Sequence, residues 1–228
     1  MPLRQTIETS VVPQTCVAAG AVLAERDGHA VAAHYGSVPG EIAVCMKSVG
    51  LADRSDLGTL ELRGDQNRLD RALVARLGDP PPPPGTARRT GNVWHVRLDR
   101  RRALLVGPHS ALAAGPPIGG GRDRSDLAQR DIGASIAIVS VIGPRAARLL
   151  AAAGLPGEEA IGAVGRDPGD TGIIAILRES QRRFLVLVAA GAADTLWARL
   201  LVAGEPLGAA FVGSDALALL GASGISSG

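Results

Sequence analysis

The sequence is poor in lysine and in aromatic residues. Lys47 is the single lysine among 24 basic residues, and aromatic side chains make up 2% of the 228 residues. The arginines are interspersed with acidic residues, and the net charge is only +2. A nucleic-acid groove needs clustered positive charge and aromatic platforms on which bases stack. The sequence therefore predicts no nucleic-acid partner, and a core made of leucine, valine, isoleucine and alanine.

Cysteine and long apolar runs are scarce as well. Cys16 and Cys45 stand alone, without a CxxC pair or a histidine nearby in sequence, which predicts reduced, buried thiols. The four histidines do not fall at metal-ligand spacings, so we expect no metal site. The apolar stretch at residues 17–24 is too short to span a bilayer, and the first residues do not resemble a signal peptide. We expect a cytoplasmic protein with no membrane partner.

Apolar residues make up 46% of the chain and charged residues 20%, which is the balance of a folded globular protein. The length suits one large domain or two small, closely packed ones. Two segments are predicted to be linkers. The proline run at residues 79–85 should be extended and solvated because it lacks N–H donors, and the segment at residues 115–126 is rich in glycine.

The most informative feature is an internal repeat. Residues 57–78 alternate apolar and polar side chains, turn at a glycine and continue at helical spacing, with Asp65 as the N-cap and Gly78 as the stop. Residues 135–154 repeat this order of strand, glycine and helix, with Pro144 at the first helical position. The pattern indicates two related halves.

An offset of 79 residues separates the two turn glycines, Gly64 and Gly143, and also the two β-hairpins predicted at residues 93–107 and 173–191. A helix ending at Gly204 follows the second hairpin, and a shorter stub follows the first. Each half is therefore predicted to contain a strand, a helix, a hairpin and a further helix, in an α+β fold with helices on one face of the sheet. Strand–glycine–helix units are common, so chance similarity is the alternative.

The segment HYGSVPGEIAVCMKSVGLADRSDLGTLELRG, residues 34–64, resembles a known family. It is similar to the first half of the folate-binding domain of the glycine-cleavage T-protein, an aminomethyltransferase. In that family Tyr-Gly, Glu, Val-Gly-Leu-x-Asp and Ser-His-Met-Gly precede the first long strand. The residues at matching intervals here are Tyr35-Gly36, Glu41, Val49-Gly50-Leu51-Ala52-Asp53 and Ser55-Asp56-Leu57-Gly58.

Later segments resemble the same family in the same order, namely VIGPRAARLL, RFLVLV with ADTLWARLL, and LGAAFVGSDALALL. The resemblance implies that residues 1–228 form a single folate-binding-domain-like unit, with halves at about 30–115 and 127–225 and no C-terminal barrel domain. The hairpin and late segments also resemble the gamma subunit of heterotetrameric sarcosine oxidase. That subunit shares the fold and has no catalytic centre of its own.

The polar residues that the resemblance implies for chemistry are missing from this sequence. Active members place an aspartate just before the first hairpin, whereas residues 87–96 here contain no acid. They recognise the pterin through a glutamate in a Tyr-Thr-Gly-Glu-x-Gly-Phe-Glu run, where this chain keeps Phe184 but has Leu185. Glu179 is expected to be a solvated charge in the hairpin turn. The closing segment lacks the arginines that would bind the folate tail. Losing these groups together removes binding energy and chemistry alike.

We therefore expect a degenerate, non-catalytic member of the family, acting as a subunit or accessory protein of a one-carbon or amine-oxidising enzyme. A protein partner or a homo-oligomer follows from this hypothesis, and no cofactor. The alternative is a tetrahydrofolate-dependent aminomethyl- or methyltransferase in which Glu41, Asp53 or Asp56 replaces the missing acids. A plain structural or dimerisation module is the third hypothesis. If folate binds, the predicted pocket residues are Tyr35, Asp53, Asp56, Leu57 and Phe184.

Overall fold

The structure, a computed structural model, describes residues 12–78, 80–114, 127–155, 163–164 and 172–222. The glycine-rich segment at 115–126 lies outside the described residues. The strands are β1 Val22–Arg26, β2 His29–His34, β3 Val49–Asp53, β4 Leu57–Gly64, β5 Thr86–Thr90, β6 Val93–Arg97, β7 Arg102–Pro108, β8 Leu127–Asp131, β9 Ile136–Ile142, β10 Ala163–Val164, β11 Ile173–Ser180, β12 Arg183–Ala189 and β13 Ala209–Phe211. The helices are α1 Gln14–Ala18, α2 Val38–Lys47, α3 Gln66–Leu77, α4 His109–Ala113, α5 Ala146–Ala152, α6 Ala193–Gly204 and α7 Ser214–Ala222.

The elements predicted from the repeat are confirmed. The side chain of Asp65 caps α3 by accepting a hydrogen bond from the backbone N–H of Asn67 at 3.0 Å, and Gly78 ends the helix in the left-handed region, with a φ of 72°. Both hairpins form, as β6–β7 and β11–β12. The strand, helix, hairpin and helix of the first half thus recur in the second.

One boundary differs from the prediction. Helix α5 begins at Ala146, two residues after Pro144, which was predicted to be the first helical residue. Gly143 has a φ of +132°, and a Cβ atom there would lie 2.3 Å from the carbonyl oxygen of Ser48. Gly143 thus lies against the backbone of Ser48 in a conformation that favours glycine. The chain turns there, and the helix starts three residues later, at Ala146.

The two halves exchange strands. The sheet orders are β5-β6-β7-β4-β8 and β10-β11-β12-β9-β3-β13. β3 precedes β4 along the chain but pairs antiparallel with β9, and β8 precedes β9 but pairs antiparallel with β4. Each half thus completes the sheet of the other half, and the backbone hydrogen bonds of these strands tie the two repeats together.

The two large sheets pack face to face, and helices cover their outer faces. Successive side chains of a strand point to opposite faces. In β12, Leu185 and Leu187 therefore lie between the sheets, while Val186 packs in the layer that includes α5 and α6. Helix α3 covers the other outer face through Leu69 and Leu73. The predicted α+β fold is confirmed, with two sheets that each carry helices on one face.

The space between the two sheets is filled with apolar side chains. They come from β6 and β7 on one side, from β9, β11 and β12 on the other, and from Ile132 between β8 and β9. The buried residues of this layer are Trp94, Val96, Leu104, Val106, Ile132, Ile136, Ile138, Ala175, Leu177, Leu185 and Leu187. Hydrophobic burial between the halves therefore adds to the strand exchange in holding them together.

The remaining expectations from composition are met in part. Cys16 and Cys45 are free and buried, as predicted, and burial raises the pKa of their thiols to about 12 and about 11. Pro80 to Pro83 form neither helix nor strand, but Pro82 is buried, so the predicted solvated run is partly wrong. None of the helices in the described ranges combines the length and the apolar character needed to cross a bilayer.

His95, in β6, makes stability depend on pH. Its side chain is buried, and burial lowers its pKa from 6.5 to about 4, with a further contribution from Arg76. Between these two values the unfolded chain binds more protons than the folded chain. The contribution of His95 to the free energy of unfolding should therefore fall by on the order of 2 kcal/mol as the pH drops through this window. Urea denaturation of the wild type and of His95→Leu near pH 7 and near pH 4.5 isolates this contribution, because the other titrating groups are present in both proteins. His95→Leu should remove most of it, and equal pH dependence in the two proteins would contradict the assignment.

Candidate functional site

Two cavities lie next to each other, and Arg54 and Leu57 contribute to the walls of both. The first, called here the Asp53 cavity, has a volume of about 310 Å³. The second, called here the Arg183 cavity, has a volume of about 260 Å³. Either volume could hold a small organic molecule.

The Asp53 cavity contains a buried carboxyl group. Every residue of β3 is buried because the strand lies between β9 and β13, and Asp53 is its last residue. The carboxylate accepts a hydrogen bond from the hydroxyl of Ser55 at 2.7 Å. Burial nevertheless raises the pKa of Asp53 to about 6. A carboxyl with this pKa exchanges its proton near neutral pH, which is the property that general acid–base catalysis requires.

Two histidines stack on the wall of the same cavity. The rings of His29 and His109 lie 3.7 Å apart at an interplanar angle of 12°. Burial, and then the neighbouring His29, lower the pKa of His109, so the neutral form of that ring is favoured. The residues are 80 positions apart, and nothing in their local sequence predicts the contact. Among the described residues no cluster of histidine, cysteine and acidic side chains could hold a metal ion.

Several charged side chains line the Arg183 cavity. Arg54, Arg89 and Arg183 all line it. Glu179 pairs with both Arg183, at 2.7 Å, and Arg89, at 3.3 Å. The guanidinium of Arg54 makes two hydrogen bonds, of 2.7 and 2.8 Å, to the carboxylate of Asp56.

The sequence-based interpretation of Glu179 is wrong. It was expected to be a solvated charge in the turn of the second hairpin, but it belongs to β11 and its side chain is 9% exposed. The turn is tighter than predicted, since β11 extends to Ser180 and β12 starts at Arg183. Glu179 therefore lies on the cavity wall, where its carboxylate neutralises arginines.

Apolar side chains also line the Arg183 cavity. Leu57, Trp94, Val106 and Leu185 line it, and they also belong to, or pack against, the layer between the two sheets. Trp94 and Leu185 are separated by 91 positions in sequence. The sheet packing brings them to the wall of one cavity.

The structure separates the five predicted pocket residues. Asp53 and Leu57 line the Asp53 cavity, and Asp56 is held by Arg54 beside it. Tyr35 and Phe184 are not among the lining residues of either cavity. Tyr35 packs on Phe211 with ring centroids 5.2 Å apart, and Phe184 is fully buried in the core layer that includes α5 and α6. Their role in ligand binding stays a prediction.

Glu41, the third acid considered for catalysis, holds two segments of backbone. Its buried carboxylate accepts hydrogen bonds from the N–H of Tyr35 at 2.7 Å and from the N–H of Gly213 at 2.8 Å. Gly50 has a similarly structural place, because a Cβ atom there would lie 2.7 Å from the sulfur of Cys45. These residues of the matched motif therefore support the fold and lie away from both cavities.

The comparison with solved structures gives the fold. The chain is similar to the glycine cleavage system aminomethyltransferase T from Bartonella henselae, with a TM-score of 0.72, 21% sequence identity and coverage of 92% of this chain. The chain has the aminomethyltransferase T fold. The resemblance in the sequence is thereby confirmed at the level of fold. The match spans 61% of the length of that aminomethyltransferase T chain.

A second solved structure matches over nearly the whole of its own chain. The chain is similar to a chain of the heterotetrameric sarcosine oxidase from Corynebacterium sp. U-96 in complex with pyrrole 2-carboxylate, with a TM-score of 0.54 and 17% identity. The match covers 77% of this chain and 95% of that chain. Neither a protein-family model nor a curated protein matches the sequence.

Proposed function

We propose that this protein is a non-catalytic relative of aminomethyltransferase T that works as an accessory subunit of a one-carbon or amine-oxidising enzyme. The observation that carries the proposal is the meeting of Trp94 and Leu185 on the wall of one cavity. The sequence resemblance implies a catalytic aspartate in the stretch that contains Trp94, and a pterin-binding glutamate at the position of Leu185. A stretch and a position that the resemblance assigns to chemistry thus meet on one cavity wall, and neither supplies an acid there.

The residues of the Arg183 cavity do not fit a reduced folate. Pterin recognition needs a carboxylate that is free to accept from the ring N–H and the exocyclic amine. Glu179 is the acid on this wall, and it is engaged by Arg89 and Arg183. Redirecting it to a ligand would leave the largely buried guanidinium of Arg183 without its anion, which is costly.

The accessory role is supported by how much of each relative the chain spans. It matches 95% of the length of a chain from a heterotetrameric oxidase, but 61% of the aminomethyltransferase T chain. In that oxidase, a chain of nearly the same length as the matched region is one component of a heterotetramer. We therefore propose that this protein belongs to an assembly of the same kind.

Calorimetric titration with tetrahydrofolate tests the loss of folate binding. We expect no saturable heat at ligand concentrations up to roughly 1 mM, because burying a pteridine against Leu185 and Trp94 would leave its N–H groups unpaired. An aminomethyltransferase T measured alongside serves as the positive control. Binding with micromolar affinity would contradict the non-catalytic hypothesis.

Size-exclusion chromatography of an extract from the source cells tests the accessory role. The chain has a mass of 23.2 kDa. We expect it to elute in a much larger particle, together with amine-oxidising or folate-dependent activity, and to lose that particle size when the partner gene is deleted. Elution as a free monomer, or in a homo-oligomer without either activity, would contradict the proposal and favour a plain structural module.

A tetrahydrofolate-dependent transferase with a rearranged site is the second candidate, and one observation favours it. Asp53 lies on the wall of a cavity and has a pKa of about 6, so it could transfer a proton near neutral pH. Glu41 and Asp56 do not join it, because backbone N–H groups hold the first and Arg54 holds the second. If tetrahydrofolate does bind, loss of transferase activity in Asp53→Asn would support this candidate.

A further inference from the structure

We propose that the Arg183 cavity binds a small carboxylate whose body is flat and apolar. Three guanidiniums, those of Arg54, Arg89 and Arg183, line the cavity. The carboxylates that pair with them are Glu179 and Asp56. These five groups together carry one positive charge in excess, not counting Asp53 of the adjoining cavity, and one monoanion would neutralise it.

The indole of Trp94 supplies an independent sign of a ligand. Its side chain lines the cavity and is 8% exposed, and its buried N–H makes no hydrogen bond among the described residues. A buried donor without a partner costs about 1–3 kcal/mol. A small rotation of the indole that turns this N–H toward the cavity would let an oxygen atom of a bound ligand remove the cost.

The shape of the site narrows the class of anion. Guanidinium groups bind carboxylates and phosphates in a planar, two-pronged geometry. The same cavity is also lined by Leu57, Val106, Leu185 and the ring of Trp94, which offer dispersion contacts to a planar apolar group. A carboxylate on an aromatic or unsaturated ring suits both sets of lining residues within about 260 Å³.

The electrostatics of Arg183 agree with an excess of positive charge. Burial lowers the pKa of its guanidinium, Glu179 opposes this shift, and the neighbouring guanidiniums of Arg54 and Arg89 add to it. An anion bound between these groups would relieve both the mutual repulsion and part of the cost of burial. The inference holds whether or not a protein partner exists.

Calorimetric titration with three probes of one shape tests the proposal: benzoate, benzamide and benzylamine. We expect benzoate to bind at least about tenfold more tightly than neutral benzamide, because only benzoate supplies the missing negative charge, and benzylamine not to bind. Acetate should bind more weakly than benzoate, because it lacks the flat body. Equal affinities of benzoate and benzamide, or no binding of benzoate at millimolar concentrations, would overturn the proposal.

Variants locate the site. Arg89→Gln should weaken benzoate binding by about tenfold and keep the fold, because the Arg89 side chain is 44% exposed. Arg63→Gln is the matched control, since Arg63 is also exposed and also shares one glutamate, Glu61, with a second arginine. It should leave binding unchanged. Equal loss in the two variants would show a general charge effect and overturn the assignment.

Trp94→Phe tests the unpartnered donor separately. It keeps an aromatic wall and removes the N–H group, so benzoate affinity should fall by about threefold to tenfold. The melting temperature without ligand should change little compared with this loss, because the donor has no partner within the described fold. Unchanged affinity in a folded Trp94→Phe protein would show that the indole N–H does not contact the anion.

Discussion

Replacing Glu41 by alanine should lower the free energy of unfolding by about 3 kcal/mol. The carboxylate is buried and accepts two backbone hydrogen bonds, from the N–H of Tyr35 after β2 and from the N–H of Gly213 before α7. Alanine leaves both N–H groups buried without an acceptor. Urea denaturation followed by circular dichroism measures the change.

Two further variants separate the hydrogen bonds from the size of the side chain. Glu41→Gln keeps one acceptor oxygen, so its loss should be about half that of Glu41→Ala. Glu25→Ala removes an exposed glutamate from β1 and should alter stability by no more than about 0.5 kcal/mol. If Glu41→Ala is as stable as Glu25→Ala, the carboxylate does not hold these segments.

Replacing Asp53 by asparagine should raise the free energy of unfolding near pH 7 by about 3 kcal/mol. The folded pKa of about 6 lies above the ordinary value of 3.8, because burial disfavours the charged form. The contribution of Asp53 to the stability of the wild-type protein therefore falls as the pH rises from about 4 to about 6, against the opposite contribution of His95. Asparagine stays neutral, so the gain should vanish near pH 4. Denaturation at several pH values measures this difference.

The neighbouring acid provides the control for this prediction. Asp56→Asn removes the negative charge and one of the two oxygens that accept from Arg54, a largely buried cation, and should therefore destabilise the protein at neutral pH. Opposite signs for the two substitutions are expected. A loss of stability in Asp53→Asn near pH 7 would show that the ionised carboxylate is stabilised in the fold and would remove the basis for a proton-transfer role.

Asp53 is expected to lower stability at neutral pH, and a buried residue that does so indicates a functional role and not a structural one. The residues of the motif divide in the same way into structural residues and a candidate functional residue. Glu41 and Gly50 hold the backbone together, whereas Asp53 faces a cavity. The motif of residues 34–64 therefore includes residues that serve the fold, and its presence alone does not indicate a folate site.

Much of the fold was predictable because its signals are local. The alternating pattern of β4, the cap at Asp65, the stop at Gly78 and the two hairpins each depend on residues close together in sequence. The repeat at an offset of 79 residues predicted the correspondence of the halves. The strand exchange was not predictable from these patterns, because β3 and β8 show the same period whichever long strand they pair with.

The candidate sites were predictable only in part. Asp53 and Leu57 were found because they stand in a short motif that resembles a family. The stacking of His29 on His109, the cluster of Arg54, Arg89 and Arg183, and the unpartnered donor of Trp94 were missed. The first two join residues that are far apart in sequence, and the third depends on what surrounds the indole in the fold, so no interval in the sequence marks them.

The amino-acid pattern fixed the strands, helices and turns of each half, the apolar character of the core and the absence of acids from residues 87–96. These properties depend on side chains within a few residues of each other. Packing of the two sheets then brought Trp94 to Leu185 and Arg89 to Glu179. The charge and shape of both cavities arise from these long-range contacts, because a cavity is formed by surfaces that meet only when distant strands pair and sheets stack.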